Sequence, residues 1–509
     1  MSIVEHSVCQ HYTTMAIQLL CTNASVRRAI VREQGISSII LLSKHSSAKY
    51  QLCAAVALSL ISSDEDCRVH TATEGIVSIL DLCNTGAVKI QREAFCAVAN
   101  LADCLDAHQI LLEAQTVESI RELADSCTDS ILVREMTRFF ASISVDDFAK
   151  EKILDNNILP YLMKFSRRTD SATRRYSSLA ICNLSLMSSK RKGSIIENDG
   201  LLRLLIFLSR CSDLEVERCS ILSLAALALG TSGAYKETIA SAGTLQPILK
   251  SMRYPDVEMQ QCSSLALNAL VLSETDTTKI KIKGMEDDLP GLFALLAVDD
   301  DECVHNGVYA LGSMIESGEV RDALVRQGCI QAVTDIMSSA SIEVKRACGY
   351  LFSVLAEHVS YHQELSNSGA MEQIVNLAGL VDMECQIYGA FSLVFLANNP
   401  DLQVPLVQLG AVRYLVSMMA TESEPRHYAG LALLKLADNF ENHITIAEQG
   451  GIQALLKLGR SRVANDEVQY KAALTVGSLA SKAVANLPKL PRNRFGDEIG
   501  AGAMRFQKK

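Results

Sequence analysis

Tryptophan is absent from the 509 residues, and all aromatics together make up only 5%. Since 49% of the chain is apolar, the core has to be built from Leu, Ile, Val and Ala. That palette favours helices over β-sandwiches. No run approaches the roughly 18 unbroken apolar residues of a membrane span. The start, Met1-Ser2-Ile3-Val4-Glu5-His6, has neither the basic segment nor the apolar stretch of a secretory leader. Ser2 stands where myristoylation needs glycine, and Gln507-Lys508-Lys509 is not a prenylation signal. These features lead us to expect a cytoplasmic protein that is not secreted, with cytoskeletal, ciliary or nuclear sites left open.

Chemistry-bearing patterns are missing as well. None of the 16 cysteines forms a C-x-x-C pair, so they read as reduced, small packing residues and not as a disulfide framework or zinc site. There is no G-x-S-x-G elbow, P-loop, H-E-x-x-H or Rossmann fingerprint. His358 and His362, flanked by Glu357 and Glu364, have an i, i+4 spacing that resembles a metal site. Their register in the repeating pattern of the chain reads instead as a solvated turn. We therefore expect no enzyme, no cofactor and no metal. With 48 basic against 58 acidic residues the net charge is −10, which argues against direct, non-specific nucleic-acid binding.

What the chain does have is a period. A glycine followed by apolar residues near +2, +5 and +6 opens short phrases at Gly35, Gly75, Gly200, Gly243, Gly328, Gly369, Gly410 and Gly450. Degenerate copies begin at Gln115, Asn157 and Asp287. From Gly35 to Gly450 the ten intervals all lie between 40 and 44 residues. Val412, Leu415, Val416 and Met419 fall at i, i+3, i+4, i+7, one face of a helix. The glycine is read as the left-handed or tight turn that separates this helix from a short one before it.

A longer segment rich in Ala, Gly and Leu follows each phrase: LCAAVALSLI from Leu52, CSILSLAALAL from Cys219, YGAFSLVFLA from Tyr388. Apolar nearly all round, it predicts the buried helix of a stack. Ser212 with Glu215 reads as a capping box, and Pro255 and Pro425 as first-turn prolines. Each unit is thus a short helix, a break, an amphipathic helix, a loop and a buried third helix. No unit buries its core alone, so neighbours must stack into an all-α solenoid of repeats of about 41 residues. The expected organisation is a partial first repeat over residues 1–22 (third helix only), about eleven repeats over 23–484, and a flexible basic tail over 485–509.

With this pattern in hand, the sequence resembles the armadillo-repeat family. Asn442–Arg460 (NHITIAEQGGIQALLKLGR) and Val320–Met337 (VRDALVRQGCIQAVTDIM) look much like its consensus. The resemblance runs over roughly residues 10 to 484 and implies a right-handed superhelix. Its third helices would line a partner-binding groove, as in interaction proteins of the β-catenin and vacuolar-adaptor type. It also implies a groove position near the end of each third helix, often an asparagine that holds a peptide backbone. By register that position holds Asn100, Asn183, Ser313, Val354, Phe395, Lys435 and Ser478, among others. Only Asn100 and Asn183 match, and import receptors of the family also present tryptophan, which this chain lacks. Val354 and Phe395 point to an apolar surface for a partner helix.

Charge adds two candidates. Between residues 157 and 199 eight basic side chains, Arg174, Arg175, Arg191 and Lys192 among them, face three acidic ones. This patch could take an acidic partner. Glu286, Asp287 and Asp288, then Asp299, Asp300, Asp301 and Glu302, form an opposite, acidic patch that could favour a basic partner or pair head-to-tail with the basic patch of another copy, with solvated turns as the plainer reading. The expected function is a non-catalytic scaffold binding other proteins, with an extended peptide or a helix in the groove. The alternatives are a transport receptor of the nuclear-import type and the recognition part of a ubiquitin ligase. The sequence leaves the oligomeric state open.

Overall fold

The computed structural model describes residues 7–125, 127–229, 233–271, 290–316, 318–338, 340–420, 424–459 and 472–480. Glu286, Asp287, Asp288 and the 485–509 tail lie outside the described residues, while Asp299 to Glu302 lie within them, Asp300 accepting the Cys303 N–H at the start of a helix. Among the described residues every regular element is a helix. The long third helices are α1 (Ser7–Leu20), α2 (Ala48–Ser62), α3 (Val88–Ala102), α4 (Ser130–Ile143), α5 (Ser171–Ser185) and α6 (Leu214–Ala228). They continue with α7 (Val257–Val271), α8 (Asp301–Met314), α9 (Ile342–Ala356), α10 (Met383–Leu396) and α11 (Pro425–Leu436). The chain forms two compact units, Met1–Pro247 and Ile248–Lys509. In the first, α1 to α6 pack each on the next, and in the second α7 to α11 do the same. Sequential stacking of helices around a continuous apolar layer makes the fold an α-solenoid.

Burial follows the repeat. In α2, Ala54, Ala55, Ala57, Leu58 and Ile61 are buried, and small residues there let neighbouring helices approach closely. The described cysteines are all free thiols and none is exposed. Burial pushes the Cys329 thiol up to about 12, so it stays protonated and packs as a small hydrophobe.

Positive φ marks the expected break at Gly200, Gly243, Gly328, Gly369, Gly410 and Gly450, at values from 77° to 90°. Gln115 and Asn157 take the same left-handed conformation without glycine, at 55° and 54°. Two positions differ from expectation. Gly75 lies inside one continuous helix, Arg68–Cys83, so the first two helices of that repeat are fused. At Gly35 the left-handed residue is the preceding Gln34. Two start signals also differ. The N-cap of α6 is Asp213, not Ser212, and Pro255 precedes α7 instead of opening it. Pro425 does stand in the first turn of α11.

Two side-chain devices recur with the repeat. The first is a latch between successive third helices. Asp129 caps α4 by accepting the Ile131 and Leu132 N–H groups, and Arg92 of α3 pairs with it at 2.6 Å. Asp382 caps α10 through the Cys385 N–H and pairs with Arg346 of α9 at 2.6 Å. Arg175 of α5 reaches Asp213 at 2.7 Å, and Gln261 of α7 reaches Asp300 at 3.1 Å.

The second device closes the C-terminal end of the third helix, where carbonyls lack helical partners. A side chain six residues further on donates to such a carbonyl. Arg27 bonds Cys21, His108 bonds Ala102, His362 bonds Ala356, Gln403 bonds Ala397 and His443 bonds Ala437, at 2.7 to 3.1 Å. His362 is therefore not the solvated turn residue that register implied. It is 1% exposed, and its Nε2–H is fixed by the Ala356 oxygen. Because Gln403 fills the same role, His362→Gln is expected to leave stability within about 0.5 kcal/mol. His362→Leu strands the carbonyl and is expected to cost about 1 kcal/mol, read as a shift in the urea midpoint.

Candidate partner-binding face

In the second unit the third helices present a stripe at i, i+4, i+8 beside the buried one. On α8 it is His305, Tyr309 and Ser313, and on α9 Arg346, Tyr350 and Val354. On α10 it is Ile387, Phe391 and Phe395, and on α11 His427, Leu431 and Lys435. Residues four apart share a helix face, so these stripes line up across the stack. All are half-buried except the exposed His427. Val354 and Phe395 thus sit on this face, while Leu351, Leu355, Leu393 and Leu396 take the core positions.

Aromatic rings connect the stripes from helix to helix. Tyr309 and Tyr350 stack with centroids 6.3 Å apart, and Tyr350 meets Tyr388 edge-on at 6.0 Å. Phe391 lies 4.9 Å from Phe395 and 5.4 Å from Tyr428. Glycines make room for them. A Cβ on Gly312 would stand 2.8 Å from the Tyr350 ring, and one on Gly349 would stand 3.1 Å from Tyr388. Two open cavities follow the rings. One of about 210 Å³ is lined by His305, Tyr309, Arg346, Tyr350 and Tyr388. The other, of about 480 Å³, is lined by Glu316, Arg321, Tyr350, Val354, Glu357, His358, Ile387, Tyr388, Phe391 and Tyr428.

The polar groups here are set by their neighbours. Tyr350 donates its hydroxyl to Glu316, and burial together with that carboxylate pushes its pKa well up. Burial, then the Glu384 charge, raises Tyr388 too. Both hydroxyls therefore remain neutral donors. Burial and the adjacent Arg321 guanidinium hold His358 below the usual imidazole range. Arg346 is engaged by Asp382. Glu357 is exposed to solvent.

The remaining sequence candidates lie elsewhere. Ser478 is exposed on the helical stretch 472–480. In the first unit Asn100 is buried and donates to the Ser59 carbonyl and the Ser62 hydroxyl at 3.1 and 3.2 Å. Its oxygen accepts from Arg138 at 2.9 Å. Asn183 repeats the pattern on Ala141 and Ser144 at 3.3 and 3.0 Å. Both amides tie one third helix to the one before it. Arg174 turns back onto the Arg168 carbonyl at 2.9 Å and touches the Cys211 sulfur, while Arg175 holds Asp213. Two other cations of the basic segment are also engaged. Arg191 pairs with Glu151 and Asp155, and Lys192 donates to the Ala226 and Leu229 carbonyls.

The aromatic column was not singled out from the sequence. Its signal is nevertheless there: Tyr309, Tyr350 and Phe391 recur at steps of 41, and Tyr388 and Tyr428 stand 40 apart. Among the described residues no single helix is long and apolar enough to cross a membrane.

Comparison with known proteins adds the fold and little else. No family model matches the chain, and no curated protein sequence matches it. Among solved structures, it is similar to a chain of the structure described as "A conserved phosphorylation switch controls the interaction between cadherin and beta-catenin in vitro and in vivo". The TM-score is 0.66 at 15% identity, over 91% of this chain and 99% of that one. Two engineered proteins align less well. One covers 87% of this chain and 98% of its own at a TM-score of 0.48 and 23% identity. The other covers 46% and 96% at a TM-score of 0.43 and 25% identity. The first of these likenesses shows the α-solenoid fold.

Proposed function

We propose that the chain is a non-catalytic interaction scaffold of the armadillo type, and that it binds a protein segment across the aromatic face of α8 to α11. The observation that carries this reading is the row of half-buried rings running from Tyr309 to Phe395 and Tyr428 over four successive helices. Tyrosine and phenylalanine are enriched in protein interfaces because they bury large area at low entropic cost, and tyrosine keeps a polar tip. The α-solenoid fold and the consensus-like phrases Asn442–Arg460 and Val320–Met337 support the armadillo assignment. An acidic partner on residues 157–199 is less favoured, because Arg175, Arg191 and Lys192 already hold carboxylates or helix-end carbonyls. No feature of the face favours the transport-receptor or ligase readings.

The test is affinity purification from cells of the source organism with three proteins: wild type, Phe391→Ala/Phe395→Ala, and Arg174→Glu/Arg175→Glu. All three are checked for helical content by circular dichroism. We expect a specific partner to drop at least tenfold with the phenylalanine variant and to persist with the arginine variant. A partner set unchanged by the phenylalanine variant would overturn the proposal.

A further inference from the structure

The first helix of the array carries core residues on its outside. On α1, Met15, Leu19 and Leu20 are 46%, 67% and 50% exposed, and Ala16 is exposed with them. Spaced i, i+1, i+4, i+5, the four lie on one side of the helix. Two periods further on, the same positions in α3 are Ala97, Val98, Leu101 and Ala102, at most 1% exposed. In α9 they are Leu351, Phe352, Leu355 and Ala356, all at 0%. In α2, which packs on α1, Ala57 and Ile61 are buried and Val56 and Leu60 half-buried. The α1 stripe thus has the register of the core without its cover.

Elsewhere that cover is the second helix of the same repeat, as Ile36–Ser43 packs on α2 and Ala370–Ala378 on α10. Residues 1–6, ahead of α1, lie outside the described residues, and six are fewer than the seven to ten of a separate second helix. The 485–509 sequence has two prolines and three glycines in place of a helical apolar spacing. Neither segment combines the length and the pattern of the missing helix.

The end repeat of a solenoid normally turns a polar face to water. α1 does the opposite, and from Ser7 to Leu20 it carries no Asp, Glu, Lys or Arg. A stripe without charge offers nothing for a partner of opposite charge to recognise. Set against itself about a two-fold axis, it buries apolar surface on both sides and brings no like charges together.

We infer that α1 is the seat of a two-fold dimer, in which Met15, Ala16, Leu19 and Leu20 of one copy pack on the same stripe of a second copy. The core of the partial first repeat is then closed by the second copy's α1. The contact uses no residue of the aromatic face of α8 to α11.

The test is sedimentation equilibrium of the full chain from low to high micromolar concentration. Wild type is expected to pass from one chain mass to two and no further. Leu19→Glu/Leu20→Glu sets carboxylates against carboxylates across the axis and is expected to weaken association at least about tenfold. Its circular dichroism is expected to stay unchanged, because both side chains are exposed. Leu19→Lys/Leu20→Lys is expected to behave alike, and an equimolar mixture of the two variants to regain the dimer as opposite charges meet. Val381→Glu, at a residue 99% exposed before α10, is the control and is expected to associate as wild type does. So is Phe391→Ala/Phe395→Ala, which separates this contact from the proposed partner face. A wild-type chain that stays monomeric, growth beyond two chains, association untouched by Leu19→Glu/Leu20→Glu, or a mixture that stays monomeric overturns the inference. So does a monomer that captures a different protein through Leu19 and Leu20.

Discussion

Gly389→Ala is expected to lower stability by about 2–3 kcal/mol, among the larger effects a single methyl can have. The added Cβ would stand 2.7 Å from the Ala378 nitrogen and 3.0 Å from its Cα. Those are backbone atoms of the preceding helix, Ala370–Ala378, and cannot rotate away. The two helices must separate, and the buried contacts of Leu393 and Ile374 loosen with them. Gly430→Ala is the comparison. There the nearest atom is the Leu458 Cδ2 at 2.6 Å, the far end of a flexible side chain. A rotamer change relieves that contact at a cost below about 1 kcal/mol. Urea denaturation gives the stabilities, and hydrogen exchange over residues 370–396 locates the change. Equal losses in the two variants would refute the close-approach explanation.

Asp382→Ala is expected to cost about 2 kcal/mol at neutral pH, because the carboxylate does two things. It caps α10 through the Cys385 N–H, a bond of a kind worth about 1 kcal/mol. It also receives Arg346 of the preceding third helix, an ion pair whose partial exposure limits it to about 1 kcal/mol. Asp382→Asn keeps the cap and loses the charge, so it is expected to cost about half as much.

The pH dependence separates the two further. The Arg346 hydrogen bond, with help from the Cys385 N–H, holds Asp382 at about 2, below the usual carboxylate value of 3.8. On acidification the unfolded chain therefore takes up this proton first. The contribution is complete above pH about 4 and is lost as the pH falls from there towards 2. Asp129 is lowered in the same sense by Arg92. Wild type should thus lose stability over this window more steeply than Asp382→Asn. Parallel curves for the two proteins would show that the latch adds no stability.

Much of the fold was legible because it rests on local rules repeated many times. The Gly328, Gly369, Gly410 and Gly450 breaks follow from a residue that alone adopts positive φ freely. The exceptions show where packing overrides that rule. Gly75 is absorbed into a helix, while Gln115 and Asn157 are held left-handed without glycine. The candidate site was legible only in part. Phe395 could be placed at a groove position by counting. Its partnership with Phe391 and Tyr428 needed the inter-helix distances. The latch, although Asp recurs at its acceptor position, needed the inter-helix distances, and the helix-end bonds escaped the sequence because their donor varies between repeats. Histidine, glutamine and arginine all serve at the latter position.

By itself, then, the sequence determined an all-α solenoid of units of about 41 residues, since period, apolar spacing and breaks are properties of the chain read locally. The absence of tryptophan is fixed in the same way, by residue type alone. Only the tertiary structure decided how individual polar and aromatic side chains are used. It turned Asn100 and Asn183 onto the preceding helix, bound Arg175 to Asp213, buried His362, and left the rings of Tyr309, Tyr350, Tyr388 and Phe391 half-exposed on one face. The physical reason is that a side chain's partner is fixed by what the neighbouring repeat brings within about 3 Å, and no spacing along the chain encodes that distance.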